Sequence, residues 1–515
     1  MTIQLTENWI YFNCSESQAR RLDAVYLKSK KCYRVPNNLH AMRELWQEGI
    51  KTPELAEAGK RRNAELEKIL SIKNSEITIG EPKLRPYQQT DIAFLLGVKH
   101  VGIFNQQRTG KTPTALKLIE HEGFSKGIIV CPASLVYNWQ KELTKWTTLT
   151  SLVVKGEKRE RTKLYQQYSQ TNTVLIISYD TLKLDVEHLT IPTGFILLDE
   201  AHYICNHKTA RAKACYQLGR YAQKRIALTG TPSKNKGVEV YGILKFLYPE
   251  QFPGYWQFVD RYFKTWHSPW GTKEIGKPKR PDELQEILNT ISVQRKRAEV
   301  MGWIPPRTEE TIILDMEKKQ EKLYKSMLKD FIAGDIDAPS VLSQLTRLRQ
   351  IALAPSMLNL DAPSVKEEWL KEYLQNAEFP FIVFSNFSTY LRKLAEELHV
   401  PIIDGKTPIS ERQKIVNRFQ AEKINVVFAN IEAAGTGLTL DRAEVVVFLD
   451  RHFSPIMNEQ AEDRIVPTTK EANQKVHVID LVCRNTVDEK IHDLLEKKEN
   501  IIKLVNSYKS LKEFL

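Results

Sequence analysis

Residues 101–119, VGIFNQQRTGKTPTALKLI, decide how the rest of the chain is read. Val101, Ile103 and Phe104 make a short apolar run, a polar loop ends in Gly110, Lys111 and Thr112, and Thr114, Ala115, Leu118 and Ile119 then recur at helical spacing. The pattern predicts strand, loop, helix. Such a loop wraps a polyphosphate. Successive backbone N–H groups and the helix N-terminus face the anion, Lys111 supplies a point charge, and the Thr112 hydroxyl is a ligand for Mg²⁺. The strict pattern GxxxxGK[ST] fails at one position, because Asn105 stands where its first glycine belongs.

A second stretch complements the first. FILL (195–198) reads as a buried strand and ends in DEAH (199–202). An acidic pair at the carboxyl end of a strand is what a phosphate loop needs beside it, Asp199 to hold Mg²⁺ through water and Glu200 to orient and deprotonate the attacking water.

Composition bounds the remainder. With 515 residues, 42% of them hydrophobic, the chain can bury more than one core, and two or three domains are expected. No apolar run approaches the roughly 18 residues that span a bilayer, and the N-terminus lacks a signal-peptide core. The expectation is a soluble, monomeric, cytoplasmic protein with no membrane partner; the short basic cluster KPKR (277–280) keeps a nuclear address open. Six cysteines are scattered without a CxxC pair, which argues against a zinc site or a disulfide framework. A net charge of +12 favours a polyanionic partner.

Residues 1–78 read as a small separate module. WIYF (9–12) and KCYRV (31–35) are aromatic-rich strand candidates, a helical stretch carries Leu39, Met42, Leu45 and Trp46, and Thr52-Pro53 starts another helix. Arg20, Arg21, Lys28, Lys30, Lys31 and Arg34 interleave with Tyr26 and Tyr33, a mix that suits backbone contact with base stacking and equally suits a solvated face over a small core. Further on, LRPYQ (84–88) precedes the phosphate loop, and the Gln88 amide has the paired donor and acceptor to read an adenine edge. IIVCPAS (128–134) with Asn138 and Trp139, then IISYD (176–180) and ALTGTP (227–232), are buried-strand runs ending in small polar residues.

In this order LRPYQ, GKT, CPASLVYNW, DEAH and LTGTP resemble the first-lobe motifs of superfamily 2 nucleic-acid motors of the Snf2 type. FIVFS (381–385), IIDG (402–405), EAAGTGLTL (432–440) and QAEDR (460–464) are similar to the second-lobe motifs. The small aromatic N-terminal module adds a resemblance to the annealing-helicase (HARP-containing) branch and its bacteriophage branch-migration relatives.

The resemblance implies an α/β fold of two RecA-like lobes with parallel sheets, helical protrusions between them and a small α+β N-terminal module. The expected boundaries are a DNA-binding module over 1–78, lobe 1 over 79–235, protrusions and linker over 236–360 with a hairpin at 265–281 carrying Trp266 and Trp270, lobe 2 over 361–485, and a C-terminal brace helix over 486–515 packed across the lobes. It implies ATP and Mg²⁺, with Arg85, Gln88, Thr109, Gly110, Lys111, Thr112, Asp199, Glu200, Gly437, Gln460 and Arg464 at the nucleotide and Thr112, Asp199 and Glu200 at the metal. Lys111, Glu200 and Arg464 would carry the chemistry, Arg464 as the finger on the γ-phosphate.

Pro132, Ser134, Asn138, Trp139, Ser178, Tyr179, Ser385, Asn386, Gly435 and Thr436 would meet DNA, and Thr229, Gly230 and Thr231 would couple the two sites. The activity implied is an ATP-driven translocase on double-stranded and branched DNA. The chain departs from the family at Pro467, three residues after Arg464, where a second arginine is the rule; Arg451, Lys470 and Arg484 are the candidates to replace it. Three other readings stay open: a motor that strips proteins from duplex DNA, the motor of a restriction system, and a nucleotide-gated DNA-binding scaffold with little turnover.

Overall fold

The computed structural model describes residues 3–75, 77–230, 232, 237–267, 273–302, 308–333, 336–338, 340–376, 379–434, 440–465 and 476–497. The chain forms two compact units, Met1–Val300 and Met301–Leu515.

The first unit begins with the small module. Its strands Gln4–Leu5, Trp9–Phe12, Cys32–Pro36 and Val25–Leu27 lie in that order in an antiparallel sheet. Alternation along Trp9–Phe12 buries Ile10 and Phe12 and turns Trp9 and Tyr11 outward, as a sheet with one covered face requires. Ile10, Phe12 and Val35 pack on Met42 and Leu45 of the helix Leu39–Gln47 and on Leu55 of the helix Pro53–Asn74, which makes a core of the module's own. Thr52 caps the long helix, its hydroxyl accepting from the Leu55 N–H at 3.2 Å.

The module is nevertheless bonded to the remainder of its unit. Arg261 is buried and donates to Glu283 twice at 2.9 Å and to the Leu22 carbonyl at 3.1 Å; Asn38 donates to Glu283 at 2.7 Å. Arg280 and Lys279 pair with Asp23, and Arg280 also with Glu44. The basic cluster at 277–280 therefore pairs two of its three charges, Lys279 and Arg280, with the module. Near the end of the long helix, Lys73 donates to the carbonyls of Asn289 and Ser292, and Ile69 and Ile72 pack on the large core. A boundary at residue 78 runs through one packed surface.

That large core surrounds a seven-stranded parallel sheet among the described residues, ordered Ser292–Val293, Val101–Ile103, Ala222–Leu228, Thr193–Leu198, Gly127–Cys131, Val174–Ser178, Ser151–Val153. Gly127–Cys131 and Val174–Ser178 are buried at every position, which is why their sequences are continuous apolar runs instead of alternating ones. The strands Phe263–His267 and Lys273–Pro278 form the expected antiparallel hairpin, with Trp266 opposite Glu274, half exposed and lying over Gly276. Trp270 lies outside the described residues.

Among the described residues the second unit holds a six-stranded parallel sheet ordered Thr308–Leu314, His477–Cys483, Val445–Phe448, Phe381–Ser385, Val426–Asn430, Ile402–Ile403. Alternate residues of the two central strands enter two cores: Ile382, Phe384 and Val446 face one, Phe381, Val383 and Val447 the other. The segment 236–360 is divided between the units, because Ser292–Val293 ends one sheet and Thr308–Leu314 ends the other.

At the start of the helix Val487–Glu496 the Thr486 hydroxyl accepts from the Asp488 N–H, and Glu489 accepts from the Asn485 N–H at 2.9 Å. Val487, Ile491 and Leu494 pack on Tyr324, Met327, Leu345 and Leu348 of the same unit, so the described part of the brace closes a local helical core; Ile501 and Ile502 lie outside the described residues.

Candidate nucleotide-binding site

At the carboxyl edge of the first sheet three loops emerge from adjacent strands, in the order phosphate loop, Thr229-Gly230, Asp199-Glu200. Ligands of open α/β sheets bind at such edges. The loop climbs from Val101–Ile103 to the helix Lys111–His121 through Gly110, whose φ of +78° suits glycine. A Cβ there would also lie 2.3 Å from the Gln88 amide nitrogen.

Asn105, the departure from the strict loop pattern, has a structural role. It is fully buried, donates to Asp91 at 3.1 Å and accepts from the Arg295 N–H at 2.8 Å, while Arg295 forms an ion pair with Asp91 at 2.8 Å. The loop is thereby tied to the helix Pro86–Leu96 and to the edge strand Ser292–Val293. Nothing in the sequence near Asn105 names these partners, since Arg295 is 190 residues away.

The predicted residues around the loop come together. The Lys111 ammonium donates to the carbonyls of Asn105 and Gln106 at 3.0 and 3.2 Å. Thr109 is buried, its hydroxyl on Gln106 and its carbonyl accepting from Tyr87 at 2.7 Å. Gln88 is buried and bonded within the protein, donating to Gly110 at 3.0 Å and accepting from the Arg85 N–H at 2.8 Å. Its amide braces the loop in this structure, so reading an adenine edge requires it to exchange these bonds.

Asp199 is the electrostatic centre. Burial first, and Glu200 second, push its pKa up to about 7, against the Trp139 N–H and Lys111, which pull it down. A buried carboxylate in that state is short of positive charge, which a hydrated divalent cation would supply, so Asp199 fits Mg²⁺. Both carboxylate oxygens are oriented: one accepts from the Glu200 N–H at 2.9 Å, the other from the Trp139 indole at 2.7 Å.

Glu200 sits at φ +48°, a left-handed conformation costing a non-glycine residue about 1–2 kcal/mol. His202 follows, 3.1 Å from Glu200 and 3.4 Å from the buried Thr229 hydroxyl, so the acid pair and the Thr229 loop share one imidazole. Sequence reasoning gives His202 no role, although it completes the DEAH motif. Thr231 lies outside the described residues.

Several residues predicted to meet DNA are spent elsewhere. Trp139, 2% exposed, binds Asp199. Tyr179, also 2% exposed, donates to the Asp199 carbonyl at 2.8 Å and stacks on Tyr203. Ser178 is buried and caps the helix Tyr179–Asp185, and Pro132 is buried. In the second unit Ser385 is fully buried and donates to Asp450, which also pairs with buried Arg349 at 2.9 Å. Pro132, Ser178, Tyr179 and Ser385 sit where a buried strand ends and Trp139 is buried in the first turn of the helix Val136–Trp146, and there the chain must satisfy its own polar atoms before any ligand's. Asn138 is exposed, and Ser134 and Asn386 are half-buried. Gly435, Thr436 and Gly437 lie outside the described residues.

Gln460 lies on the helix Pro455–Glu462 of the second unit, and Arg464 just beyond it, its carbonyl accepting from Leu440 at 2.9 Å. Of the candidates to replace the missing arginine, Arg451 is committed: it holds Asp480 at 2.5 and 2.7 Å and Glu462, and lies over the Phe448 ring. Burial opposes its charge, but Asp480 and Glu462 outweigh it, and Asp480 is itself drawn down to about 2. Arg484 pairs with exposed Asp315, and Pro467 and Lys470 lie outside the described residues.

The SNF2-related domain matches residues 36–357 of this chain, and the helicase conserved C-terminal domain matches residues 365–466. The chain belongs to the SNF2-related family. It is 27% identical over 448 residues to the DNA annealing helicase and endonuclease ZRANB3 of Bos taurus, covering 81% of this chain and 40% of that protein. To the SWI/SNF-related matrix-associated actin-dependent regulator of chromatin subfamily A-like protein 1 of Xenopus laevis it is 26% identical over 442 residues, covering 81% and 44%. The chain thus spans less than half the length of these relatives. The Sulfolobus solfataricus SWI2/SNF2 ATPase core in complex with dsDNA aligns over 85% of this chain and 98% of its own, at 24% identity and a TM-score of 0.40. Membership of this family implies nucleotide use.

Proposed function

We propose that the chain is an ATP-driven double-stranded-DNA translocase that remodels branched DNA by fork regression, branch migration and strand annealing. The observation that carries the reading is the convergence of Lys111, the Asp199-Glu200 pair and Thr229 at one sheet edge, with His202 touching both of the last two. Lys111 would hold the phosphates, Thr112 and Asp199 would hold Mg²⁺, which would supply positive charge at the phosphates, and Glu200 takes the proton from the attacking water.

Arg464 acts from the second lobe on the γ-phosphate. Nucleotide favours a closed arrangement of the lobes and hydrolysis releases it, so the grip on the DNA backbone moves along the duplex. Contacts go to phosphates, giving strong salt dependence and little sequence preference. The names of the two relatives above support nucleic-acid remodelling in general. The branch preference rests on the N-terminal module, which is docked on the same unit as the phosphate loop. A cytoplasmic location goes with this reading.

The test is ATP hydrolysis without DNA and with blunt duplex, forked and four-way-junction DNA, alongside strand exchange on the branched substrates. Expected are stimulation by all three, stronger by branched DNA, and loss of turnover in Lys111→Ala with DNA binding retained. No stimulation by any DNA would leave a nucleotide-gated scaffold. Equal stimulation without junction unwinding would leave plain translocation or protein displacement.

A further inference from the structure

Asn138 and Trp139 are consecutive residues in the first turn of the helix Val136–Trp146, and they point opposite ways. Asn138 is exposed beside exposed Tyr137, whereas Trp139 is buried with its indole on the Asp199 carboxylate at 2.7 Å. The neighbouring strand repeats the arrangement: at its end Tyr179 is buried, its hydroxyl on the Asp199 carbonyl at 2.8 Å and its ring stacked at 5.2 Å on Tyr203, in the turn just after the acid pair. Asp199 is thus held at its side chain by one aromatic residue and at its backbone by another. Each comes from a segment with an adjacent residue that faces outward, Asn138 in one case and Asp180 in the other.

Resting on the reading above, we propose that Trp139 and Tyr179 are positioning residues. They fix the Asp199 carboxylate for the hydrated Mg²⁺, and they make its orientation depend on how the Ser134 to Asn138 segment is held when DNA lies on it. An indole N–H is a donor only, so its hold on the carboxylate is lost if the helix turns or shifts. Donors behind a metal-binding carboxylate set its direction, and losing one costs about 10–100-fold in metal affinity or activity.

The test uses the full chain and two variants that keep the aromatic packing, Trp139→Phe and Tyr179→Phe. Turnover is measured against free Mg²⁺, without DNA and at saturating duplex DNA, together with KM for ATP at saturating Mg²⁺, DNA affinity and thermal melting. For Trp139→Phe the free Mg²⁺ at half-maximal turnover rises by about 10-fold or more and DNA stimulation falls. KM for ATP and DNA affinity stay unchanged, because no contact to either ligand is lost. Tyr179→Phe moves the same two quantities in the same direction by less.

An unchanged Mg²⁺ midpoint in Trp139→Phe overturns the proposal, as does a loss of DNA affinity that matches the loss of turnover, which would put Trp139 on the DNA. If Trp139→Phe does not fold, Tyr179→Phe decides, and an unmoved midpoint there refutes it. Wild-type protein that no DNA stimulates would refute the proposed function instead, while the DNA-free Mg²⁺ midpoint would still report on the indole.

Discussion

Replacing Glu283 with alanine tests whether the N-terminal module is part of the first unit's packing or a tethered accessory. Glu283 is 1% exposed and accepts from Arg261 twice at 2.9 Å, from Tyr262 at 3.1 Å and from Asn38 at 2.7 Å. Arg261 is itself 4% exposed; burial works against its charge, and Glu283 together with Tyr262 and Glu44 more than offsets this. With Glu283 gone the guanidinium cannot deprotonate, and its remaining carboxylate neighbour among the described residues is Glu44 at 3.4 Å. Removing one partner of a buried pair costs about 3–5 kcal/mol.

The loss should be local. Native-state hydrogen exchange should show it at the amides of residues 9–12 and 32–35 and in the helix Pro281–Ile291, while Gly127–Cys131 in the central sheet keeps its protection. The paired change Arg261→Met with Glu283→Leu should recover at least half, because no charge is then left buried. A loss below about 1 kcal/mol for Glu283→Ala would put the pair in the range of surface ion pairs and refute the reasoning.

Three further outcomes are expected. Asn105→Gly, which restores the strict loop pattern, should lower stability by about 1–3 kcal/mol and leave hydrolysis no faster, since it removes a buried hydrogen-bond partner of Asp91 and of the Arg295 N–H; denaturant titration and turnover check it. Arg451→Ala should unfold the second unit about 3–5 kcal/mol more easily by leaving Asp480 buried without its partner, whereas Arg464→Ala should abolish turnover with little change in melting temperature. His100 is buried, accepts the Arg225 N–H, and is held down at about 3 by burial with Arg225, Lys99 and Lys224 nearby. Its folded pKa lies below the unfolded one, so stability is complete above about pH 6.5 and falls, by up to about 1.4 kcal/mol per unit, as the pH drops from there toward 3. His100→Asn keeps an acceptor and should flatten that slope in denaturant midpoints measured across pH.

Much of this protein was legible in its sequence, and for local reasons. The strand, loop and helix at 101–119, the buried strand before Asp199-Glu200, the hairpin near Trp266 and the helix begun by Thr52-Pro53 each depend on residues within a turn or two of one another. Continuous apolar runs such as GIIVC declared parallel strands covered on both faces. These patterns point to the α/β class and bring Lys111, Asp199 and Glu200 forward as candidates.

What the tertiary structure decided was the direction in which each polar side chain is spent. Trp139, Tyr179 and Ser385 stand beside exposed or half-exposed residues in sequence and read as ligand contacts, yet each is turned inward to Asp199 or Asp450. Asn105 answers to Asp91 and Arg295, and Arg451 to Asp480 and Glu462; the module's independence ends at Arg261 and Glu283. Sequence records which groups can donate and accept over short range. A buried group, however, has to find its partner wherever the fold delivers one, often more than a hundred residues away, because an unpaired polar atom out of water costs more than almost any local preference can supply.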